Sequence, residues 1–129
     1  LARERFVLAL AAQADRPDAI TWAEAAQLPL CLLTGEMQNR RIVDAAFARA
    51  GAVVRSQIET DTIPALLDLV ASGPWATVVA AEWAAGDARI ATVPLVEPVV
   101  EHLVGVVVPS RDPLPIATRA LLAEIAEEA

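Results

Sequence analysis

Reactive side chains are scarce in this sequence. It contains one histidine, His102, and one cysteine, Cys31, far apart along the chain. Glu59 and Asp61 are carboxylates two positions apart. Because alternate residues of a strand point to the same face, these two side chains share a face only if the strand continues through both. Spacings typical of a P-loop, a G-x-S-x-G nucleophile or a set of metal ligands are missing. The sequence therefore predicts a protein that is not an enzyme and that uses no metal and no cofactor.

The single cysteine and histidine both have ordinary structural interpretations. Cys31 lies in the apolar run LPLCLL (residues 28–33), which predicts a buried thiol. One cysteine cannot form an intramolecular disulfide, and a reducing cytoplasm fits such a chain. His102 begins a predicted strand, where we expect a surface or capping group.

Two polar loops offer groups that suit ligand binding better than catalysis. Thr34 to Gln38 follows one predicted strand, Glu59 to Thr62 follows the next, and each loop opens a helix. The carboxyl ends of parallel strands share one sheet edge, where ligands bind. Helix N-termini add unpaired N–H groups and positive dipole ends. Together the loops favour a small anion, such as a carboxylate.

The candidate contacts supply hydroxyls, an amide, a polarisable thioether and room for close backbone approach. They are Thr34, Gly35, Met37, Gln38, Thr60, Asp61 and Thr62, with Ala80 and Glu82 following a later strand. Threonine and aspartate at helix starts also serve as caps, and Asp61 would repel an anion unless it points into its own helix. Arg40 and Arg41 lie inside a helix, which predicts a solvated face rather than a carboxylate clamp.

The elements that position these loops alternate along the chain. Apolar runs predict strands at residues 5–11, 30–33, 53–58, 76–80, 90–94 and 102–108. Helical patterns cover residues 37–50 and 115–128, a helix capped by Thr60 or Asp61 runs towards Gly73, and short helical turns are expected at 18–26 and 82–85. This alternation predicts an α/β fold with a mostly parallel sheet flanked by helices.

The bulk composition limits the class of partner. The 129 residues suffice for one domain with its own core. The formal net charge of −7 opposes binding of a polyanion, so this segment is not expected to contact DNA or RNA. No apolar run approaches the roughly 20 residues needed to span a bilayer, and we expect a cytoplasmic protein.

Read in order, these segments resemble the effector domain of LysR-type bacterial transcriptional regulators. The similarity is carried by LARERFVL (1–8), LCLLT (30–34), NRRIVDAAFARAG (39–51), IETDT (58–62), LLDLVASG (66–73) and RDPLPIATRAL (111–121). The ordered set is more specific than any one motif. In two places the chain departs from the family: Pro74-Trp75 follow Gly73 in place of a G-L-G pattern, and Ala80 stands where a proline is common.

The resemblance implies one lobe of a type II periplasmic-binding-protein-like fold. Residues 12–102 would form the second lobe, and residues 1–11 and 103–129 the crossover and return segments towards a first lobe outside this sequence. The parent would bind DNA through a missing N-terminal winged helix-turn-helix, form homodimers or higher oligomers, and sense a small-molecule effector in the cleft between the two lobes. A solute-binding protein lobe, a dimerisation module and, less favoured, a small enzyme on the same half-fold stay open as alternatives.

Overall fold

The computed structural model describes residues 2–128, which form seven strands and five helices. In chain order these are β1 (Ala2–Ala11), β2 (Ile20–Thr21), α1 (Trp22–Ala25), β3 (Cys31–Leu33), α2 (Gln38–Arg49), β4 (Ile58–Thr60), α3 (Ile63–Ser72), β5 (Thr77–Ala80), α4 (Ala81–Ala84), β6 (Ile90–Val96), β7 (Glu101–Val104) and α5 (Ile116–Glu128). The chain divides into two compact units. The larger comprises Arg5–Glu101, and the smaller joins the residues up to Glu4 with those from His102 onward.

The sheet of the larger unit is built around β1. This strand pairs antiparallel with β5 on one side and with β6 on the other, and β2 lies parallel to β6. Strands β3 and β4 are parallel to each other. A parallel bridge between Leu30 and Ala76 links the β3 side to β5. The predicted α/β class and mostly parallel sheet are confirmed, with β1 as the strand that runs against its neighbours.

Alternating side chains divide the core of the larger unit between the two faces of the sheet. Leu30 and Leu32 pack in one cluster with Phe47 of α2, whereas Cys31 and Leu33 pack in another with Leu66 of α3. Successive strand residues point to opposite faces, so a continuous apolar run is what a strand covered on both faces requires. The run at residues 30–33 therefore explains why helices lie on both sides of this sheet.

A buried tryptophan anchors the first cluster. Trp22 is fully buried, its Nε1 donates a hydrogen bond to the Pro98 carbonyl oxygen at 2.8 Å, and its ring meets Phe47 edge-on at 5.0 Å between centroids. It opens α1, whose N-cap Thr21 forms a capping box with Glu24. The helical turn predicted between residues 18 and 26 is confirmed, shortened by the two-residue strand β2.

Two predicted strands are wrong in extent. Residues 53–57 are not part of a strand, and Val53 is 84% exposed, so pairing begins only at Ile58. The apolar run at 102–108 forms a strand only as far as Val104, and Val107 is 97% exposed. Apolar residues in a row show what has to be buried, but they do not show which segment covers them.

The smaller unit has little core of its own among the described residues. Its helix α5 has no buried residue, and Ile116 and Leu121 are largely exposed. The apolar side chains of α5 are therefore only partly covered, since Leu122 and Ile125 are half-buried. None of the described helices has the length and hydrophobicity needed to cross a membrane.

Candidate functional site

The two loops identified from the sequence lie side by side. Strands β3 and β4 are in register, with Leu33 opposite Thr60. One residue further, the backbone N–H of Thr34 donates to the Thr60 carbonyl oxygen at 2.9 Å. The two βα corners therefore share the carboxyl-terminal edge of the sheet, as the argument from parallel strands predicts.

The first loop leads into a helix whose tip has no side-chain cap. The Met37 N–H donates to the Thr34 carbonyl oxygen at 3.1 Å, which closes a turn through Gly35. Met37 is the N-cap residue of α2 and offers no side-chain hydrogen bond to the first turn, which begins at Gln38. First-turn amides of a helix have no intrahelical acceptor, so they are free for a ligand or for water.

Gly35 leaves open space beside the turn. A β-carbon built at this position would meet no heavy atom within 4 Å. Thr34 and Met37 are half-buried, and Met37 packs partly against the cluster that holds Cys31. Met37 therefore fills space in the core and lies at the α2 tip at the same time.

The second loop uses its hydroxyls to shape its own backbone. Thr62 is the N-cap of α3, and its Oγ1 accepts from the Ala65 N–H at 3.3 Å. The Thr60 hydroxyl donates to the Thr62 carbonyl oxygen at 3.0 Å. The cap is thus Thr62, whereas the sequence argument assigned it to Thr60 or Asp61. Asp61 is exposed.

The remaining two candidates follow β5. Ala80 pairs with Phe6 across the sheet and is fully buried, so its methyl group is not on the surface of this unit. Glu82 lies on α4 and is exposed. The bridge between Leu30 and Ala76 makes β5 parallel to β3, which places the end of β5 at the same sheet edge as Thr34.

The exposure of one charged side chain at this corner, Arg40, differs from what the sequence predicts. The Arg40 side chain is only 13% exposed and makes two ion pairs. Its Nε donates to Asp44 Oδ1 at 2.8 Å, and its Nη1 contacts both the Leu33 carbonyl oxygen at 2.7 Å and Glu59 Oε2 at 2.5 Å. The solvated face predicted for both arginines is wrong for Arg40, and Arg41 is exposed as expected.

Asn39 is a neighbour that the sequence argument missed. With Arg40 it lines a small cavity against Leu32, Val43 and Val78. Asn39 could have been identified from its position in the sequence, because it follows the predicted binding loop directly and lies in the first turn of α2. Residues there are close to whatever binds the helix tip.

Cys31 is poorly suited to act as a nucleophile. It is fully buried, and its Sγ donates to the Ala76 carbonyl oxygen at 3.6 Å. Burial raises the pKa of the Cys31 thiol to about 11, although a backbone hydrogen bond opposes the shift. The reactive thiolate is therefore scarce near neutral pH. Within residues 2–128, no three His, Cys, Asp or Glu side chains are grouped to hold a metal ion.

A parallel-stranded lobe with two helix tips at one edge is the architecture of a small-molecule binding domain. The chain belongs to the LysR substrate binding domain family, whose sequence model matches residues 1–129. This family comprises the effector-sensing domains of LysR-type transcriptional regulators, which are regulatory and not catalytic. The recognition made from the ordered motifs is confirmed.

Solved structures agree with this family in fold. The regulatory domain of CcmR from Synechocystis PCC6803, in complex with 2-PG, is 15% identical, with a TM-score of 0.73 over 95% of this chain and 62% of that one. The effector binding domain of QuiR with shikimate is 13% identical, with a TM-score of 0.70 over 94% of this chain and 59% of that one. CbnR, a LysR family transcriptional regulator, is 23% identical, with a TM-score of 0.67 over 78% of this chain and 37% of that one. The fold is thereby established as type II periplasmic-binding-protein-like.

The matched structures are longer than this chain. It spans 33% of full-length OxyR from Pseudomonas aeruginosa and 50% of the OxyR regulatory domain from the same source. No curated protein sequence matches the chain.

Proposed function

We propose that this chain senses a small anionic effector at the edge where β3 and β4 end. The observation that carries the proposal is the hydrogen bond from the Thr34 N–H to the Thr60 carbonyl oxygen, which holds the two helix-opening loops together. The CcmR regulatory domain was solved in complex with 2-PG, and the QuiR effector binding domain in complex with shikimate. These small molecules support an effector of similar size here.

The two helix tips differ in what they offer to an anion. Thr62 already accepts from the first turn of α3, so part of that tip is satisfied within the chain. Met37 gives α2 no such bond, so the amides that follow it are available. We therefore place the anionic group of the effector at the Thr34–Gln38 loop, with Thr60, Asp61 and Thr62 forming the adjacent wall.

Gly35 provides a sharp test of this placement. Gly35→Ala adds a methyl group in open space, so the fold tolerates it, but the methyl group obstructs close approach of an anion to the loop. Gly73→Ala is the matched control, because its β-carbon would make only an ordinary contact, 3.7 Å from Trp75 Cδ1. Glycine-to-alanine changes at compatible positions alter stability by roughly 1 kcal/mol or less.

The measurement is isothermal calorimetry with shikimate, 2-PG and inorganic phosphate, each paired with a neutral or cationic compound of similar size. We expect an anion to bind, Gly35→Ala to weaken it by about tenfold, equivalent to the loss of one good hydrogen bond, and Gly73→Ala to leave it unchanged. Binding only of neutral or cationic compounds would overturn the anionic effector. Equal affinity in the two variants would remove the loop from the site.

We further propose that residues 12–102 act as the second lobe of the parent's effector domain, with residues 1–11 and 103–129 as its connections to a first lobe. The structural division after Glu101 and the exposed apolar residues beyond it support this assignment. The parent would then bind DNA through another domain and act in the cytoplasm as a homodimer, without catalysing a reaction.

Self-association of the present chain follows from its exposed apolar surface. Val106, Val107, Ile116 and Leu121 are 53%, 97%, 79% and 59% exposed, and exposed apolar surface, where it is contiguous, is typical of a protein contact. We expect light scattering to show a dimer or a larger species. A clean monomer at high concentration would contradict this expectation.

A further inference from the structure

The corner where β3, β4 and α2 meet contains one cation that is largely covered by the protein. Arg40 lies in the first turn of α2, yet its side chain is only 13% exposed, whereas the neighbouring Arg41 faces solvent. A cation is rarely withdrawn from water unless several acceptors surround it. This corner supplies three: a backbone carbonyl oxygen and two carboxylates.

The three acceptors belong to three different elements. Leu33 ends β3, Glu59 lies within β4, and Asp44 lies one turn further along α2. A planar guanidinium can donate in several fixed directions at once, which a lysine ammonium on a flexible stem cannot reproduce. The Arg40 side chain therefore joins the ends of both site strands to the start of the helix.

We propose that Arg40 is the positioning residue of the effector site, which fixes the separation between the Thr34–Gln38 loop and the Glu59–Thr62 loop. This inference rests on the function proposed above, since it takes that edge as the binding site. Arg40 acts through the loops and need not touch the effector. Its charge is already matched by Asp44 and Glu59, so its main contribution is geometric.

The charge of the Arg40 guanidinium is stabilised by the two carboxylates that it contacts. Burial alone lowers the pKa of Arg40, but the hydrogen bonds and charges of Asp44 and Glu59 outweigh it and raise the pKa above its ordinary value. The guanidinium therefore stays charged at any pH at which the chain is folded. The link between α2 and β4 is lost when either Arg40 or Glu59 is replaced.

The ordinary alternative is that Arg40 only stabilises α2. Its contact with Asp44 is an i,i+4 pair within one helix, and such pairs stabilise a helix only slightly. Two variants distinguish a role in positioning the loops from a role in stabilising α2 alone. Asp44→Asn removes the pair within the helix and keeps the link to β4, whereas Glu59→Gln weakens the link to β4 and keeps the pair within the helix.

The first measurement requires no ligand. Hydrogen exchange of the Thr34 amide reports the bond between the two loops, because this N–H donates to the Thr60 carbonyl oxygen. We expect Arg40→Gln and Glu59→Gln to accelerate this exchange by about tenfold, the effect of losing a link worth roughly 1.4 kcal/mol. Asp44→Asn should change it by less than about twofold, and Arg40→Lys should fall between Arg40→Gln and the unaltered chain.

Arg89 is the matched control for a general loss of charge. It also binds two carboxylates, Asp68 and Asp87, but contacts neither loop. Arg89→Gln should therefore leave exchange of the Thr34 amide unchanged. Equal acceleration by Asp44→Asn and Glu59→Gln, or none in Arg40→Gln, would overturn the positioning role.

The second measurement is calorimetry with shikimate, 2-PG and inorganic phosphate. For any probe that binds the unaltered chain, Arg40→Gln should weaken binding by about tenfold, with Arg40→Lys partly restoring it. Unchanged affinity in Arg40→Gln would refute the inference while the proposed function stands. If none of the probes binds the unaltered chain, the proposed function fails, and the exchange experiment alone decides whether Arg40 sets the loop geometry.

Discussion

Replacement of Thr77 by valine should make this protein more stable. Thr77 opens β5, is fully buried opposite Ala9 of β1, and its Oγ1 has no hydrogen-bond partner among the described residues. A buried hydroxyl without a partner costs about 1–3 kcal/mol in proteins. Valine has nearly the same shape and replaces the hydroxyl with a methyl group. We therefore expect Thr77→Val to raise the free energy of unfolding by about 1–2 kcal/mol.

The assay is urea unfolding followed by tryptophan fluorescence, with calorimetry for Tm. A gain of 1–2 kcal/mol corresponds to roughly 4–8 °C for a chain of this size. Val79 lies on the same face two residues along β5 and is 3% exposed, so Val79→Thr is the reverse change in a matched environment and should cost a similar amount. A Thr77→Val chain that unfolds more easily would refute the reasoning, because the hydroxyl would then have a partner worth more than its burial costs.

Three further predictions concern the core and the site. Because burial raises the pKa of Cys31 to about 11, Cys31 should resist thiol reagents at pH 8 until the chain unfolds, and the chain should lose about 2–3 kcal/mol of stability as the pH rises from about 9 to 11, measured by urea titrations across that range. Trp22→Phe removes the donor to Pro98 and part of a buried ring, so we expect a loss of about 2–3 kcal/mol in unfolding experiments. Thr62→Ala removes the α3 cap on Ala65 and should lower the free energy of unfolding by about 1 kcal/mol, whether or not an effector is present.

The sequence predicts strands and helices well where the apolar residues of an element are buried by other elements of the same chain. The run at residues 30–33 fits a strand covered on both faces, and that is what the structure has. The cap of α3 is Thr62 and not Thr60 or Asp61, as its hydrogen bond from the Ala65 N–H shows. Thr60, Asp61 and Thr62 are all good capping residues, so residue type alone could not decide among three adjacent positions.

Tertiary contacts account for the rest of what the sequence could not predict. The helical pair of Arg40 with Asp44 is visible from spacing, but its contact with Glu59 joins residues 19 positions apart. Register between β3 and β4 decides that contact, and no local pattern encodes it. Val53 and Val107 look like strand residues because they are apolar, yet both are largely exposed.

The proposal of an anionic effector has to be reconciled with an acidic chain. The formal charge of −7 opposes the approach of any anion, but solvent and salt screen charges separated by more than about 8–10 Å. Amide donors at the α2 tip act at hydrogen-bond distance, where screening is weak and direction matters. Arg40, the largely covered cation of this corner, is already paired with Asp44 and Glu59, so it adds little net attraction. Under the proposed function, selectivity for an anion therefore has to come from the geometry of the Thr34–Gln38 loop rather than from the charge of the domain.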